Sequence, residues 1–175
     1  MKLQTAAWLS AALIIFPAVA LAAGKHSGGH DDGHAASAGS DDHHAEMAIG
    51  SPGKASNAAR TIQVTMKETD SGAMIFEPAS IEVKRGETVR FAITNGGVLE
   101  HEFVMDASPE IAEHKDLMQR FPEMIHEDPN AVRLEPGAAG EIVWNFTNTG
   151  SFEFACLIPG HYEMGMHGPL NVNES

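Results

Sequence analysis

The sequence is poor in two kinds of residue, and each scarcity excludes a class of structure or function. Cys156 is the one cysteine among 175 residues, so no disulfide can form within the chain. Eleven Lys and Arg stand against 24 Asp and Glu, and the formal net charge of -13 disfavours binding to nucleic acid or to an anionic membrane. The same acidity raises the local concentration of cations. The length and apolar content suffice for one ordinary domain with a tail.

The first 22 residues have the composition of a secretory signal peptide. Lys2 precedes an apolar stretch, and Ala20-Leu21-Ala22 supplies the small residues of a cleavage site. The stretch is short for crossing a bilayer, and Gly, His and Asp follow it instead of a stop-transfer pattern. We therefore predict a signal peptide over residues 1–22, export to the periplasm and no membrane attachment after cleavage. A retained membrane anchor is the alternative.

Residues 23–60 differ in composition from the rest of the chain. They include no aromatic residue and are rich in Gly, Ser and Ala, so they cannot bury enough surface to offset their chain entropy, and we predict disorder. Half of the ten histidines lie here, interspersed with aspartates: His26, His30, His34, His43 and His44. This composition is typical of metal-binding tracts, although a solvated linker is the alternative.

Residues 61–175 change to short runs in which apolar and polar residues alternate. Such runs surround Ile62, Ile81, Val89 and Ile142, and turn residues such as Pro136-Gly137 separate them. Short strands at this spacing predict an all-β domain, a β-sandwich or a barrel.

One segment interrupts the strand pattern with helix signals. Ser108 is a suitable N-cap, a proline follows at the first helical position, and Phe121-Pro122 ends the run, which predicts a helix over residues 109–121. His114 and Met118 are four residues apart and share a helix face, so they are candidate auxiliary metal ligands. The favoured alternative is that the helix simply packs on the sandwich through Leu117, Met118 and Phe121.

Thiolate, imidazole and thioether donors occur together in one short run near the C-terminus. Cys156 opens the run, and His161 and Met166 follow it at intervals of five residues. The cysteine continues an alternating pattern with two phenylalanines, so a strand that ends there would point its sulfur into the core. A second run repeats the pattern with His101, Phe103 and Met105. Two strands would thus direct a thiolate and an imidazole into one core.

Two histidines, a cysteine and a weak axial methionine form the donor set of a type 1 copper centre. We predict that the ligands are His101, Cys156, His161 and Met166. Met164 and His167 are the alternatives for the axial position and are further candidates for auxiliary copper binding, with the histidines of residues 23–60 and the His114/Met118 pair. The competing explanation is that the cysteine is a small buried hydrophobe with chance neighbours.

From about Thr61 to the C-terminus the chain resembles the cupredoxins of the plastocyanin and azurin family. The likeness lies in the stretch Phe76–Phe91, in Asn95, and in the four predicted ligands. With the signal peptide, the His-rich segment and the interstrand helix, the chain looks most like the periplasmic cupredoxins of copper tolerance. The resemblance implies a Greek-key β-sandwich and mononuclear type 1 copper with three equatorial ligands, His101, Cys156 and His161, and axial Met166.

The chain departs from the family pattern at one position beside the predicted site. Many cupredoxins carry Asn after the first histidine ligand, where it ties the two ligand loops together, but this chain has Glu102. Hydrogen bonding around the metal, and hence the reduction potential and colour, is therefore expected to differ.

The residue inventory also limits the chemistry. One cysteine excludes a dinuclear centre with two bridging cysteines, and one short domain argues against a nitrite reductase or a multicopper oxidase. We therefore expect a monomer that is not an enzyme and that binds one copper ion as Cu(I) or Cu(II), with additional weakly bound copper as a further hypothesis. The leading hypothesis is copper binding and electron transfer in copper tolerance, with an unidentified redox protein as partner. A dedicated soluble electron carrier of a respiratory chain is the alternative.

Overall fold

A computed structural model of the chain describes residues 47–124 and 128–175. The predicted signal peptide and the histidines of the predicted tail lie outside these ranges, so the predictions about them stay predictions. No helix within the described ranges is long and apolar enough to span a membrane.

Ten strands in the described residues form two five-stranded sheets. In chain order they are β1 Ser51–Pro52, β2 Arg60–Glu68, β3 Met74–Glu77, β4 Ile81–Lys84, β5 Thr88–Asn95, β6 His101–Asp106, β7 Ala131–Leu134, β8 Ala139–Asn145, β9 Gly150–Ala155 and β10 His167–Asn173. One sheet has the order β1-β8-β5-β2-β3 and the other the order β4-β10-β9-β6-β7. The predicted Greek-key β-sandwich is confirmed.

The core lies between the two sheets because each contributes alternate apolar residues to the inner side. Val89, Phe91 and Ile93 of β5 are buried while their neighbours are more exposed, the period of two that the sequence predicts. Phe76 contacts Phe103 and Phe154 of the other sheet edge to face, with ring centroids 5.6 and 5.2 Å apart. These aromatic contacts join the two sheets.

Helix α1, Ser108–Arg120, covers the outer face of β6 and β9. Ile111 and Met118 pack against Val104, Ala155 and Leu157 in a second apolar cluster. β6 is therefore buried on both faces, unlike the other long strands. The packing alternative accounts for Met118, which is 1% exposed and packs in this second cluster.

The ends of the helix differ in detail from the prediction. The N-cap is Ala107, in an extended conformation and without a side-chain cap, and Ser108 lies inside the first turn. Phe121, which was expected to pack on the sandwich, is the C-cap and is 52% exposed. The helix ends there because the next residue is proline.

The predicted disordered segment ends earlier than residue 60. Ile49 is fully buried in the main core, and the short strand β1 pairs with β8. The indole Nε1 of Trp144 donates to the carbonyl oxygen of Ile49 at 3.4 Å. Gly50 has φ +132°, and a Cβ there would collide with the backbone of Asn145. The prediction of disorder up to residue 60 was wrong because glycine and proline are typical of linkers. Here the glycines allow the backbone to approach β8 closely.

We expect Ile49→Ala to lower the free energy of unfolding by about 2–5 kcal/mol, because it leaves a cavity in the core. Urea denaturation of the metal-free protein measures this change. The control Ser56→Ala alters an exposed residue of the same segment and should stay within about 0.5 kcal/mol of the parent. Equal stability of all three proteins would show that residues 47–59 do not belong to the folded domain.

Candidate metal centre

Strand pairing brings His101 and Cys156 to the same end of the sandwich. His101 is the first residue of β6, and Cys156 directly follows the last residue of β9. The two strands are antiparallel, with Val104 opposite Ala155, so the start of one lies beside the end of the other. Both side chains are fully buried.

The loop between β9 and β10 adds His161 to the pair. Its Nδ1 lies 3.3 Å from Nδ1 of His101 and 3.4 Å from Sγ of Cys156. The three donor atoms all lie within 4.8 Å of one another, and they form the one such group of His, Cys and acidic side chains in the described part of the chain. The structure thus brings together the three equatorial ligands that the sequence predicts.

The donor spacing fits a metal ion. Bonds of about 2.0 Å to nitrogen and 2.3 Å to sulfur, at trigonal angles, place donor atoms about 3.5–4 Å apart. The observed contacts of His161 with the other two side chains are close to that spacing. A thiolate and two imidazoles in a buried trigonal arrangement suit copper better than hard cations, which prefer oxygen.

Burial separates the two candidate axial methionines. Met166 is fully buried in the same apolar cluster as Cys156, and its backbone carbonyl accepts a hydrogen bond from the Cys156 N–H at 3.0 Å. Met164 is 47% exposed. The chain reverses between them at Gly165, which has φ +99°, a conformation that favours glycine. The arrangement therefore favours Met166 as the axial ligand.

His167 lies outside the group of donors. As the first residue of β10 it points to the outer face, where its ring stacks on Tyr162 with centroids 4.2 Å apart. Its Nδ1 is 3.3 Å from Oε1 of Glu153, which also accepts a hydrogen bond from the Tyr162 hydroxyl at 2.6 Å. The structure thus places His167 in a surface network and not beside the three converging side chains.

His114, the other auxiliary histidine candidate in the described residues, is half-buried on α1. It lines a groove of about 400 Å³ with Glu110, Glu113, Leu117, Arg120, Met124 and Asp128. It is not part of the converging donor group.

Burial controls the ionisation of the metal-free site. It raises the pKa of the Cys156 thiol to about 12, and it lowers the pKa of His161, to which the charge of His101 also contributes. At neutral pH the thiol is therefore protonated when no metal is bound, and metal binding must release its proton. A cation in the site would offset the cost of burying the thiolate.

Glu102 ties the two segments that carry His101 and Cys156, although it stands where many cupredoxins have Asn. Its backbone N–H points to Sγ of Cys156 at 3.3 Å, and its Oε2 accepts the backbone N–H of Leu157 at 3.3 Å. Arg133 lies opposite Glu102 on β7 and forms an ion pair of 2.6 Å with Glu100. The tie between the loops is therefore present, but a buried carboxylate with a nearby guanidinium provides it.

Two residues outside the donor group support His101, and the sequence analysis assigned a role to neither. Oε1 of Glu68, at the end of β2, lies 3.0 Å from Nε2 of His101. Burial alone would raise the pKa of Glu68, but hydrogen bonds from backbone N–H groups and the charge of His101 lower it below its usual value. Asn95 is fully buried and binds the loop before β6. Asn95 was named only as part of the cupredoxin resemblance, whereas Glu68 had no local signal because it lies 33 positions from His101.

Comparisons with known proteins agree with this geometry. Residues 62–173 match the family described as copper binding proteins, plastocyanin/azurin family. The copper-resistant cuproprotein CopI of Rubrivivax gelatinosus is 49% identical over 164 residues, which cover 94% of this chain and 96% of that protein. CopI of Pseudomonas aeruginosa is 38% identical over 155 residues, which cover 72% of this chain and 83% of that protein.

A solved structure supports the fold alone. Auracyanin of Roseiflexus castenholzii superposes with a TM-score of 0.56 at 21% identity, and the match covers 66% of this chain and 98% of auracyanin. The matched family spans most of the sandwich, and the converging histidines and cysteine lie within it. The chain therefore belongs to the plastocyanin/azurin family of copper-binding proteins and, within it, is most like the copper-resistance cuproproteins.

Proposed function

We propose that this protein is an exported type 1 copper protein that binds copper and transfers electrons in copper tolerance. The observation that carries the proposal is the convergence of two imidazole Nδ1 atoms and one thiol sulfur in a buried site. His101, Cys156 and His161 would hold the ion, with Met166 as the weak axial donor. The CopI relatives are named for copper resistance, which supports the same physiological role here.

The arrangement of the donor residues suits rapid, reversible oxidation and reduction of a bound copper ion. Copper in such a site supplies one-electron chemistry between Cu(I) and Cu(II). Strand ends and loop hydrogen bonds position the donors, so their geometry need not change with oxidation state. His161 is only half-buried, and its exposed edge offers a short route to a partner. Four donors leave no open position for a substrate, which supports a role other than that of an enzyme.

The alternative role is a dedicated electron carrier of a respiratory chain. The loop before His101 exposes Val98 and Leu99, which are 81% and 44% exposed. An apolar surface beside the donor group is suited to brief docking of a redox protein. Either role is compatible with a periplasmic monomer, and the histidines of residues 23–46 would add weak copper sites to the first.

We expect the copper-loaded protein to show an intense visible band from sulfur-to-copper charge transfer. Cys156→Ser and Cys156→Ala should abolish the band, because neither side chain provides a thiolate. Visible absorption and metal analysis of the purified proteins test this, with thermal unfolding as the control for folding. A colourless wild-type protein that nevertheless contains copper would contradict the type 1 assignment.

Met166→Leu should keep copper bound and raise the reduction potential, because loss of the thioether donor destabilises Cu(II) more than Cu(I). Met164→Leu is a matched control with the same chemical change two residues away, and it should leave the potential nearly unchanged. Redox titration followed at the visible band measures both. If only Met164→Leu shifts the potential, the axial ligand is Met164.

Removal of residues 24–46 should eliminate weak copper binding and leave the coloured site intact. Binding by flexible histidines requires neutral imidazole, so the weak sites should be lost as the pH falls through about 6.5, whereas the buried site should persist. Copper stoichiometry at pH 7.5 and pH 5.5, with and without the segment, measures this. The truncation stops at residue 46 because the following residues belong to the folded domain.

Growth separates the two candidate roles. A strain that lacks the protein should become sensitive to raised copper, and Cys156→Ser should fail to restore its growth. Normal copper tolerance together with impaired respiration in ordinary medium would overturn the copper-tolerance role and favour the respiratory carrier.

A further inference from the structure

Glu68 contacts the one nitrogen of His101 that does not face the other donors. Nδ1 of His101 is directed toward His161, and Nε2 lies 3.0 Å from Oε1 of Glu68. A neutral imidazole carries its single proton on one nitrogen, and a carboxylate beside Nε2 selects that nitrogen. The Nδ1 lone pair then remains free to face the metal position.

The carboxylate of Glu68 is held in place by the loop that precedes β6. The backbone N–H of Val98 donates to Oε2 and that of Leu99 donates to Oε1, each at 2.9 Å. The side chain of Glu68 is only 18% exposed, and that of His101 is fully buried. The pair is therefore shielded from water, which strengthens its electrostatic interaction.

The same loop is shaped to admit this carboxylate. A Cβ at Gly97 would lie 2.9 Å from the carboxyl carbon of Glu68, which is closer than side chains pack. Asn95 fixes the path of the loop: its Nδ2 donates to the carbonyl oxygens of Leu99 and Leu134 at 2.8 Å, and its Oδ1 accepts the Gly97 N–H at 2.9 Å. A glycine at position 97 and a buried amide at 95 thus allow the backbone to close over Glu68.

We propose that Glu68 is a positioning residue that fixes the His101 tautomer and stabilises Cu(II) relative to Cu(I). The inference rests on the proposed copper site and adds a regulator of its potential. Carboxylates that accept the second N–H of a metal-bound imidazole increase its basicity. A more basic imidazole with a carboxylate beside it stabilises Cu(II) more than Cu(I), because Cu(II) carries the higher charge. Glu68 thereby lowers the reduction potential and favours retention of copper as Cu(II).

The test compares Glu68→Gln with the wild-type protein. The amide keeps the shape and one acceptor oxygen but removes the charge. Cu(II) affinity should fall about tenfold with a smaller change in Cu(I) affinity, and a tenfold difference corresponds to a rise of about 59 mV in a one-electron potential. Competition titrations for each oxidation state and redox titration at the visible band measure these quantities independently.

Glu100→Gln is the matched control for the general loss of one negative charge near the site. Glu100 precedes His101 in the chain but pairs with Arg133, so it does not support the imidazole. Its substitution should shift the potential much less. Gly97→Ala provides a second perturbation that keeps the Glu68 charge but displaces the carboxylate, and it should raise the potential in the same direction.

Each result bears on the proposal. Suppose that the reduction potential of Glu68→Gln shifts no further than that of Glu100→Gln, while the metal-free Glu68→Gln protein is less stable than wild type. Glu68 would then have a purely structural role in holding the loop. Equal losses of Cu(I) and Cu(II) affinity would overturn the proposal in the same way. If Glu68→Gln retained too little copper for a redox titration, the Gly97→Ala potential would decide. A wild-type protein without the charge-transfer band would overturn the copper site itself, whereas an unshifted potential in a coloured variant overturns only the role of Glu68.

Discussion

The antiparallel pairing of β6 with β9 is the constraint on which the site depends. Val104 lies opposite Ala155, and Met105 lies opposite Phe154. This register places the start of one strand beside the end of the other and points His101 and Cys156 inward with the phenylalanines. A slip of one residue would turn every side chain of a strand to the opposite face, and the imidazole and thiol would no longer meet. The core that stabilises this pairing therefore also assembles the donors.

The site buries polar and ionisable groups, whose burial is unfavourable unless other groups pair with them. The thiol of Cys156 is held neutral by its apolar surroundings, and Glu102 and Arg133 place charges nearby. Buried polar groups are tolerated only when their hydrogen bonds are satisfied, and loop N–H groups and ion pairs provide most of these partners. The result is a preformed group of donors that a soft cation would complete. Such preorganisation favours firm retention of a bound metal ion.

Packing gives different environments to residues that look alike in sequence. Met118, Met164 and Met166 are all plausible soft ligands by residue type. The structure places the first on the buried face of α1, the second at the surface and the third in the core with Cys156. Ile49 is a similar case, because it lies in a glycine-rich segment yet fills the main core. The exposure and the packing partners of each side chain distinguish these residues, and both depend on contacts between segments distant in sequence.

The sequence by itself determined an all-β domain, the main strands, the helix and the three converging donors. These features follow from local periodicity and turn chemistry, and from residue types whose metal chemistry is distinctive, whereas the choice of a sandwich over a barrel came from the resemblance to the cupredoxins. It missed the short strands β1, β3 and β7, because a few residues beside glycine or proline carry little periodicity, and it also missed the seven-residue strand β10. Only the tertiary structure decided the contact of Glu68 with His101, the tie made by Glu102 and the start of the domain before residue 60. Each of these depends on the register between segments distant in sequence, and no local pattern encodes that register.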